Sequence, residues 1–438
     1  MFFITLLEVP MNQGKVFGPR IISLFTTLFF FYLTTTASFA SGFGIFTQGA
    51  DALGQANATV AHTDGPSALY FNPALLPLVP GTQVEIGTTA VFPSRKFESA
   101  SGGPSERNKD TAWFPSTFYL THQFNDQFSA GLGVFSPFGL GTVWDSDWEG
   151  KTIATKSRIT TFNINPAIAW RITPRISIGA GLDIVLLDAK LKNKIDLAPG
   201  LVPPVDQQFT GSGEGVGFNA GVHIQITDRL SFGAAYRSEI KIDIDGKVRF
   251  DDPDELAVIN PALPALFPDT DGETSITLPQ QVTAGLAWRI TPAWMFEAGL
   301  RWEDWTSFDK LQIDLEQAVG GQNSMAFPRN WHSTWAYNVG TKYRVNDCLA
   351  LMAGYLYGQN PIPDSTFEPA VPDSDTQLFT VGTELSFDHL KLALAYGFQL
   401  QEDRDKKTNQ YTALDGSTAN GRYENHLHLA GVSLTYAF

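Results

Sequence analysis

The chain has 438 residues, 30 Lys and Arg against 45 Asp and Glu, 13 % aromatic residues, 39 glycines and one cysteine. Past a single N-terminal run there is no 18-residue apolar stretch, which excludes a bundle of membrane helices. The net charge of −15 argues against nucleic-acid binding, and a lone Cys348 excludes an intrachain disulfide framework or a Cys-rich zinc site.

Lys15 and Arg20 precede the apolar run Ile21–Ala37, and Ser38-Phe39-Ala40 follows as a small-x-small cleavage pattern. This predicts a secretory signal peptide over residues 1–40, starting at Met1 or Met11. An exported chain of this kind is expected in the bacterial outer membrane. Residues 41–80 do not alternate, yet they carry Phe43, Ile45, Phe46, Tyr70, Phe71, Leu75 and Leu76, with a short helix possible at Gln48–Ala56. The segment is too long for a tail and too small for a domain. The simplest place for it is the lumen of a barrel formed by residues 81–438.

From Gln83 onward the pattern has period two. Leu230 to Asp245 places Leu230, Phe232, Tyr236, Ile240, Ile242 and Ile244 on one face; Leu390 to Gln401 and Ile176 to Leu186 behave alike. Runs of this length cross a tilted bilayer, whereas sandwich strands are shorter. Six tight-turn signals fall at 125–126, 173–174, 227–228, 291–292, 346–347 and 388–389. They alternate with polar stretches at about 99–110, 140–156, 192–212, 249–272, 309–332, 361–375 and 402–424. Short periplasmic turns alternating with long external loops are the mark of an outer-membrane barrel. Six hairpins, one strand before and one after give a 14-stranded antiparallel all-β transmembrane barrel, the last strand ending in Phe438. Trp170, Trp288 and Trp294 lie beside the turns; Trp113, Trp302, Trp305, Trp331 and Trp335 lie towards the loops, predicting two aromatic girdles.

In strand three the alternation meets Ser136-Pro137-Phe138-Gly139. Pro137 has no N–H and must interrupt the ladder, and Gly139 permits unusual backbone geometry. Asn72 should fix the turn that Pro73 opens. Lys151, Lys156 and Arg158, at the external end of strand four, are candidates to meet a carboxylate. The seven histidines are scattered, no catalytic motif is present, and neither metal, cofactor nor enzymatic activity is expected.

Gly42-Phe43, the Gly/Ala stretch behind it and Tyr70-Phe71-Asn72-Pro73-Ala74 resemble the hatch of the FadL-type outer-membrane transporters of long-chain fatty acids and other hydrophobic compounds. Ser136-Pro137-Phe138-Gly139-Leu140-Gly141, Asn163-Ile164-Asn165-Pro166, Pro328-Arg329-Asn330-Trp331 and Pro372-Asp373-Ser374-Asp375 extend the resemblance over the whole mature chain. It implies a plugged barrel with a lateral opening at the strand-three kink, Ser136 to Gly139. It also implies substrate contacts from Phe43, Asn72, Pro73 and Asp373, with Lys151 and Arg158 towards a head group. The expected cargo is a long-chain fatty acid, the alternatives being aromatic or aliphatic hydrocarbons, or a structural or adhesive barrel without cargo. Burying a C16 chain is worth about 12 kcal/mol, so such cargo needs a dry track rather than a water-filled pore. Outer-membrane lipid and lipopolysaccharide are the expected surroundings of a monomer.

Overall fold

The computed structural model describes residues 42–109, 111–408 and 416–438; the expected signal peptide lies outside them. The alternating runs form β1 (Thr82–Ser99), β2 (Glu106–Arg107 and Ser116–Gln123), β3 (Phe128–Phe135 and Gly139–Val143), β4 (Lys156–Thr173) and β5 (Ile176–Ile195). There follow β6 (Val205–Gln225), β7 (Leu230–Arg237 and Ile240–Asp251), β8 (Thr270–Leu278 and Gln281–Thr291) and β9 (Trp294–Glu303 and Lys310–Val319). The chain ends with β10 (Gln322–Pro328 and Thr334–Arg344), β11 (Leu349–Gly358), β12 (Thr376–Phe387), β13 (Leu390–Gln401, with Arg404–Lys406) and β14 (Gly421–Ala437).

Each strand pairs antiparallel with its neighbours, and β1 zips onto β14 from Gln83–Ala437 to Ser99–Gly421. The 14 strands thus close without an edge, the condition for a sheet in lipid. The tight turns fall where the sequence puts them, and side chains hold them. Asn125 accepts hydrogen bonds from the amides of Gln127 and Phe128, and Asn346 from those of Cys348 and Leu349. The hydroxyls of Thr173 and Thr227 serve the same purpose.

Three expectations need correction. The face of β7 is not continuous. Tyr236 is on the outer face, Arg237 and Ser238 are both buried, and Ile240, Ile242 and Ile244 then point into the lumen. β8 turns over at the same level, between Leu278 and Gln281, so the two strands kink together without losing register. The stretches 192–212 and 309–332 are largely strand, because pairing continues above the apolar band; there the outer face is polar while Phe209, Leu311, Ile313 and Leu315 still face the lumen. Trp305 and Trp331 are buried inside rather than in a girdle, whereas Trp170, Trp288, Trp294 and Trp335 are exposed on the outer face.

The segment before β1 fills the lumen. It forms α1 (Ala50–Gly54), α2 (Ala68–Phe71) and a 3-10 turn over Pro73–Leu78, nearly all buried. Tyr119 of β2, Ser177 of β5, Ser231 of β7, Asn338 of β10 and Thr380 of β12 donate to its carbonyls from around the wall. Above it the lumen is apolar, lined by Val185, Leu187, Phe209, Ile242, Ile276 and Ile313.

Candidate functional site

The site begins at the break in β3. Below it, β2 and β3 pair from Gln123–Ser129 to Phe118–Val134. Above it, Gly139–Val143 pairs only with β4, and Glu106–Arg107 only with β1. β2 is itself interrupted there, with Trp113 bridged to Val91 of β1. The two broken strands leave a window, bounded above by the amide of Lys109 on the carbonyl of Val143 at 2.8 Å.

The hatch supplies the pairing that β3 lacks. The amide of Ile45 donates to the carbonyl of Pro137 at 2.9 Å, and that of Gly139 to the carbonyl of Phe43 at 2.8 Å. Gln48 caps the carbonyl of Ser136 at 2.8 Å, and the Thr161 hydroxyl takes that of Phe138 at 2.6 Å. Gly139 does not use the backbone freedom that glycine permits, since its φ is not positive. Its role is space: a Cβ there would lie 2.7 Å from Ile45.

A cavity of about 430 Å³ crosses this window. Its walls run from Phe43, Phe46 and Thr47 inside to Phe114, Ser116 and Phe162 on the outer face. A second apolar cavity of about 410 Å³ lies above, lined by Ile153, Phe209, Ile276, Phe308 and Met325. Phe43, Leu140, Ile159 and Val371 belong to both walls, so Phe43 stands between them. Its ring is caged edge-on by Trp305 at 4.7 Å and Phe308 at 6.1 Å, with Trp331 tilted at 5.7 Å.

The charged groups of the lower cavity are Arg95, Arg158 and Asp373, among Thr, Ser and Gln side chains. Asp373, in the loop after β11, accepts from the Gly42 amide at 2.8 Å and from Gln401 at 2.7 Å. Burial pushes its carboxyl up to about 7, against the pull of the Gly42 and Ser374 amides, Arg404 and Arg95. Arg95 of β1 donates through one terminal nitrogen to Gly141, while its Nε is buried without a hydrogen-bond partner among the described residues. Arg158 lies exposed at the outer lip, 5.6 Å above the Trp113 ring. Lys151 is elsewhere: it faces Asp196 at 3.7 Å and lines neither cavity.

Asn72 and Pro73 lie deeper, at the hatch–wall contact. Asn72 accepts from the Ala74 amide at 3.0 Å and donates to the carbonyls of Val60 at 2.9 Å and Val222 at 3.0 Å. Gly221 and Gly179 make the dock: Cβ atoms there would fall 2.0 Å from Asn72 and 2.5 Å from Pro73. Phe43, Asp373, Arg158, Ser136, Phe138 and Gly139 therefore meet at one cavity, Pro137 sits in the break beside it, and Asn72, Pro73 and Lys151 stand apart. Arg95 was missed, although its odd position in β1, in phase with lumen-facing Glu85 and Thr89, carries the signal.

A hatch-plugged 14-stranded barrel whose wall is broken beside an apolar cavity defines a class, the outer-membrane transporters of hydrophobic molecules. The family model described as outer membrane protein transport protein (OMPP1/FadL/TodX) matches residues 31–438, and the chain belongs to that family. Among its relatives, the long-chain fatty acid transport protein of Escherichia coli O6:H1 is 24 % identical over 93 % of this chain and 96 % of its own. Outer membrane protein P1 of Haemophilus influenzae is 23 % identical over 91 % and 95 %. The crystal structure of a Pseudomonas aeruginosa FadL homologue superposes with a TM-score of 0.80 at 22 % identity, covering 91 % of this chain and all 100 % of the other. The toluene transporter TodX of P. putida gives 0.69 at 19 %, covering 89 % and 98 %. Passive transport of hydrophobic molecules across the outer membrane is the activity common to this family.

Proposed function

We propose that hydrophobic molecules enter the upper cavity from outside, pass Phe43 and leave sideways between β2 and β3. The observation that supports this is the lower cavity, which joins the lumen to Phe114 and Phe162 where both strands are broken. An apolar solute has no reason to cross the polar hatch below when a dry exit opens beside it. The cargo is a long-chain fatty acid: Arg95 offers a buried Nε, without a partner among the described residues, to a carboxylate at the polar side of the cavity, beside Asp373 and Gln401. A second reading, aromatic or aliphatic hydrocarbons, is favoured by the aromatic cage around Phe43, which needs no head group.

Two experiments test these readings. In a Cys348→Ser background, Trp113→Cys with Gly141→Cys spans the window, since a Cβ at 141 already touches the Trp113 ring. The oxidised protein should lose uptake of radiolabelled palmitate and regain it on reduction; full uptake with the crosslink formed removes the lateral route. Arg95→Gln should lower palmitate binding about tenfold and leave toluene binding unchanged. An equal effect on both, or none on either, removes the fatty-acid reading.

A further inference from the structure

The outer face of β4 and β5 changes character within a few residues. Up to Phe162 and Leu186 it is apolar and exposed, with Ile164 and Ile168 on β4 and Leu182 on β5. Above Thr160 and Asp188 it turns cationic. Arg158 stands directly opposite Lys190, and Lys156 opposite Lys192, the last pair also bordering the upper cavity. Across β6, whose Thr210 and Gln208 continue the two rows, stand Lys247 and Arg249 of β7. Like charges directly opposite on adjacent strands, about 4.8 Å apart, repel and destabilise the sheet.

Carboxylates flank the two rows, Asp188 and Asp245 below, Asp206 and Asp251 above and Asp271 beside them, but few are paired with the cations. Among the described residues Lys247 faces Asp271 at 3.4 Å, and Lys194, one step higher, faces Asp206 at 3.8 Å. Among the described residues, Lys156, Arg158, Lys190, Lys192 and Arg249 have no carboxylate within ion-pair distance. Lys190 is repelled by Lys192, Lys156 and Arg158, against the attraction of Asp251. In a chain of net charge −15, such a concentration of cations on one patch points to an external anion.

We propose that this patch binds the phosphorylated head of an outer-leaflet glycolipid of lipid A type, with its acyl chains on the apolar band beneath. Two features select a lipid over a soluble anion. On β4 and β5 the cations sit a step above side chains that face hydrocarbon, so one molecule with acyl chains there and phosphates reaching across to β7 satisfies both levels. The two rows across β4 to β7 also suit a head group carrying more than one phosphate. Arg158 belongs to the lip of the window as well, so the bound lipid is a neighbour of the opening. The proposal rests on the outer-membrane placement of the barrel and is independent of the cargo.

The test uses the full mature chain in detergent, with binding measured by native mass spectrometry and titration calorimetry. The probes are bisphosphorylated lipid A, the same lipid without phosphates, and inorganic phosphate. Lys190→Gln, Lys192→Gln and Arg249→Gln combined should weaken bisphosphorylated lipid A on the order of 100-fold, about fivefold per cation. The charge-keeping set Lys190→Arg, Lys192→Arg and Arg249→Lys should retain it, and heat-modifiable gel migration reports that each barrel is folded. Equal affinity for the dephosphorylated lipid, equal affinity for inorganic phosphate alone, or a loss under threefold in the folded Gln variant would each overturn the proposal.

Discussion

Asp373 is the residue at which charge and cargo meet. Its carboxyl titrates near 7 because burial outweighs the amides and arginines around it. The native state therefore holds this proton more tightly than the unfolded chain does. Its contribution to stability falls as pH rises from the ordinary carboxylate value of 3.8 to about 7. Above that range the carboxylate competes with any anionic ligand for Arg95. A permanently charged probe such as dodecyl sulfonate should bind roughly tenfold tighter at pH 5.5 than at pH 8.5, and Asp373→Asn should flatten the profile at the tight end. An unchanged profile in the variant would remove Asp373 from this role. Asn72 acts differently, through three hydrogen bonds that tie the hatch to itself and to β6. Asn72→Ala takes this partner from the buried Val60 carbonyl and Ala74 amide, about 1–3 kcal/mol, and should impair uptake while the barrel still migrates as folded. Equal loss of uptake and of folded barrel would make Asn72 a purely structural residue.

The strand-three break and the hatch segment Phe43–Ile45 form one structural element, though the chain separates them by some ninety residues. Ile45→Pro removes the N–H that meets Pro137, and should lower hatch stability by about 1–3 kcal/mol and raise ion conductance in planar bilayers. Wild-type conductance in this variant would show that the pairing is dispensable. The break itself was legible, because a proline inside an alternating run cannot complete its ladder. That the hatch fills the vacancy was not, since Phe43 to Ile45 has no strand pattern and its partner is remote. The barrel was legible for the same physical reason throughout: lipid outside and a packed lumen inside enforce alternation. Where strands rise above the lipid the outer face is freed from it, and only the lumen face stays apolar. This is why the ends of β5, β6, β9 and β10 read as loops and why the reversal of face in β7 at Arg237–Ser238 passed unseen. Trp305 and Trp331 misled similarly, because lying near the loops does not say which way an indole points.

At the scale of the whole molecule, the hatch is held by buried charges as well as by apolar packing, Leu53 against Leu378 and Leu429 and Leu69 against Tyr119 and Phe135. Glu297 of β9 takes His62 Nδ1 at 2.6 Å and the Val60 amide at 2.7 Å. Lys342 of β10 joins Asp64 and Glu384 at 2.8 Å each, and Lys391 of β13 reaches the Asp64 carbonyl and Glu384. Burial alone would favour neutral His62, but Glu297 and Asp64 outweigh it and raise it to about 10. Its stabilising share is complete below the ordinary histidine value of 6.5 and is lost as pH rises through about 10. Single-channel conductance should therefore stay low at neutral pH and climb towards pH 10. Glu297→Gln should leak already at pH 7, since breaking a buried pair costs about 3–5 kcal/mol. A tight Glu297→Gln channel at neutral pH would mean that the other contacts suffice. Deleting residues 42–78 should leave a barrel that inserts but conducts, and conductance equal to wild type would show that this segment does not seal the lumen.

The stitching of β3 by Phe43–Ile45 also bears on the order of assembly. A barrel that closed first would leave the carbonyl of Pro137 and the amide of Gly139 without partners beside lipid, where unpaired backbone groups are costly. The N-terminal segment must therefore be in place when the wall between β2 and β4 is completed. It serves as a template for closure and not as a cork added afterwards. Exchanging this segment between relatives should accordingly succeed only when residues 136–139 travel with it.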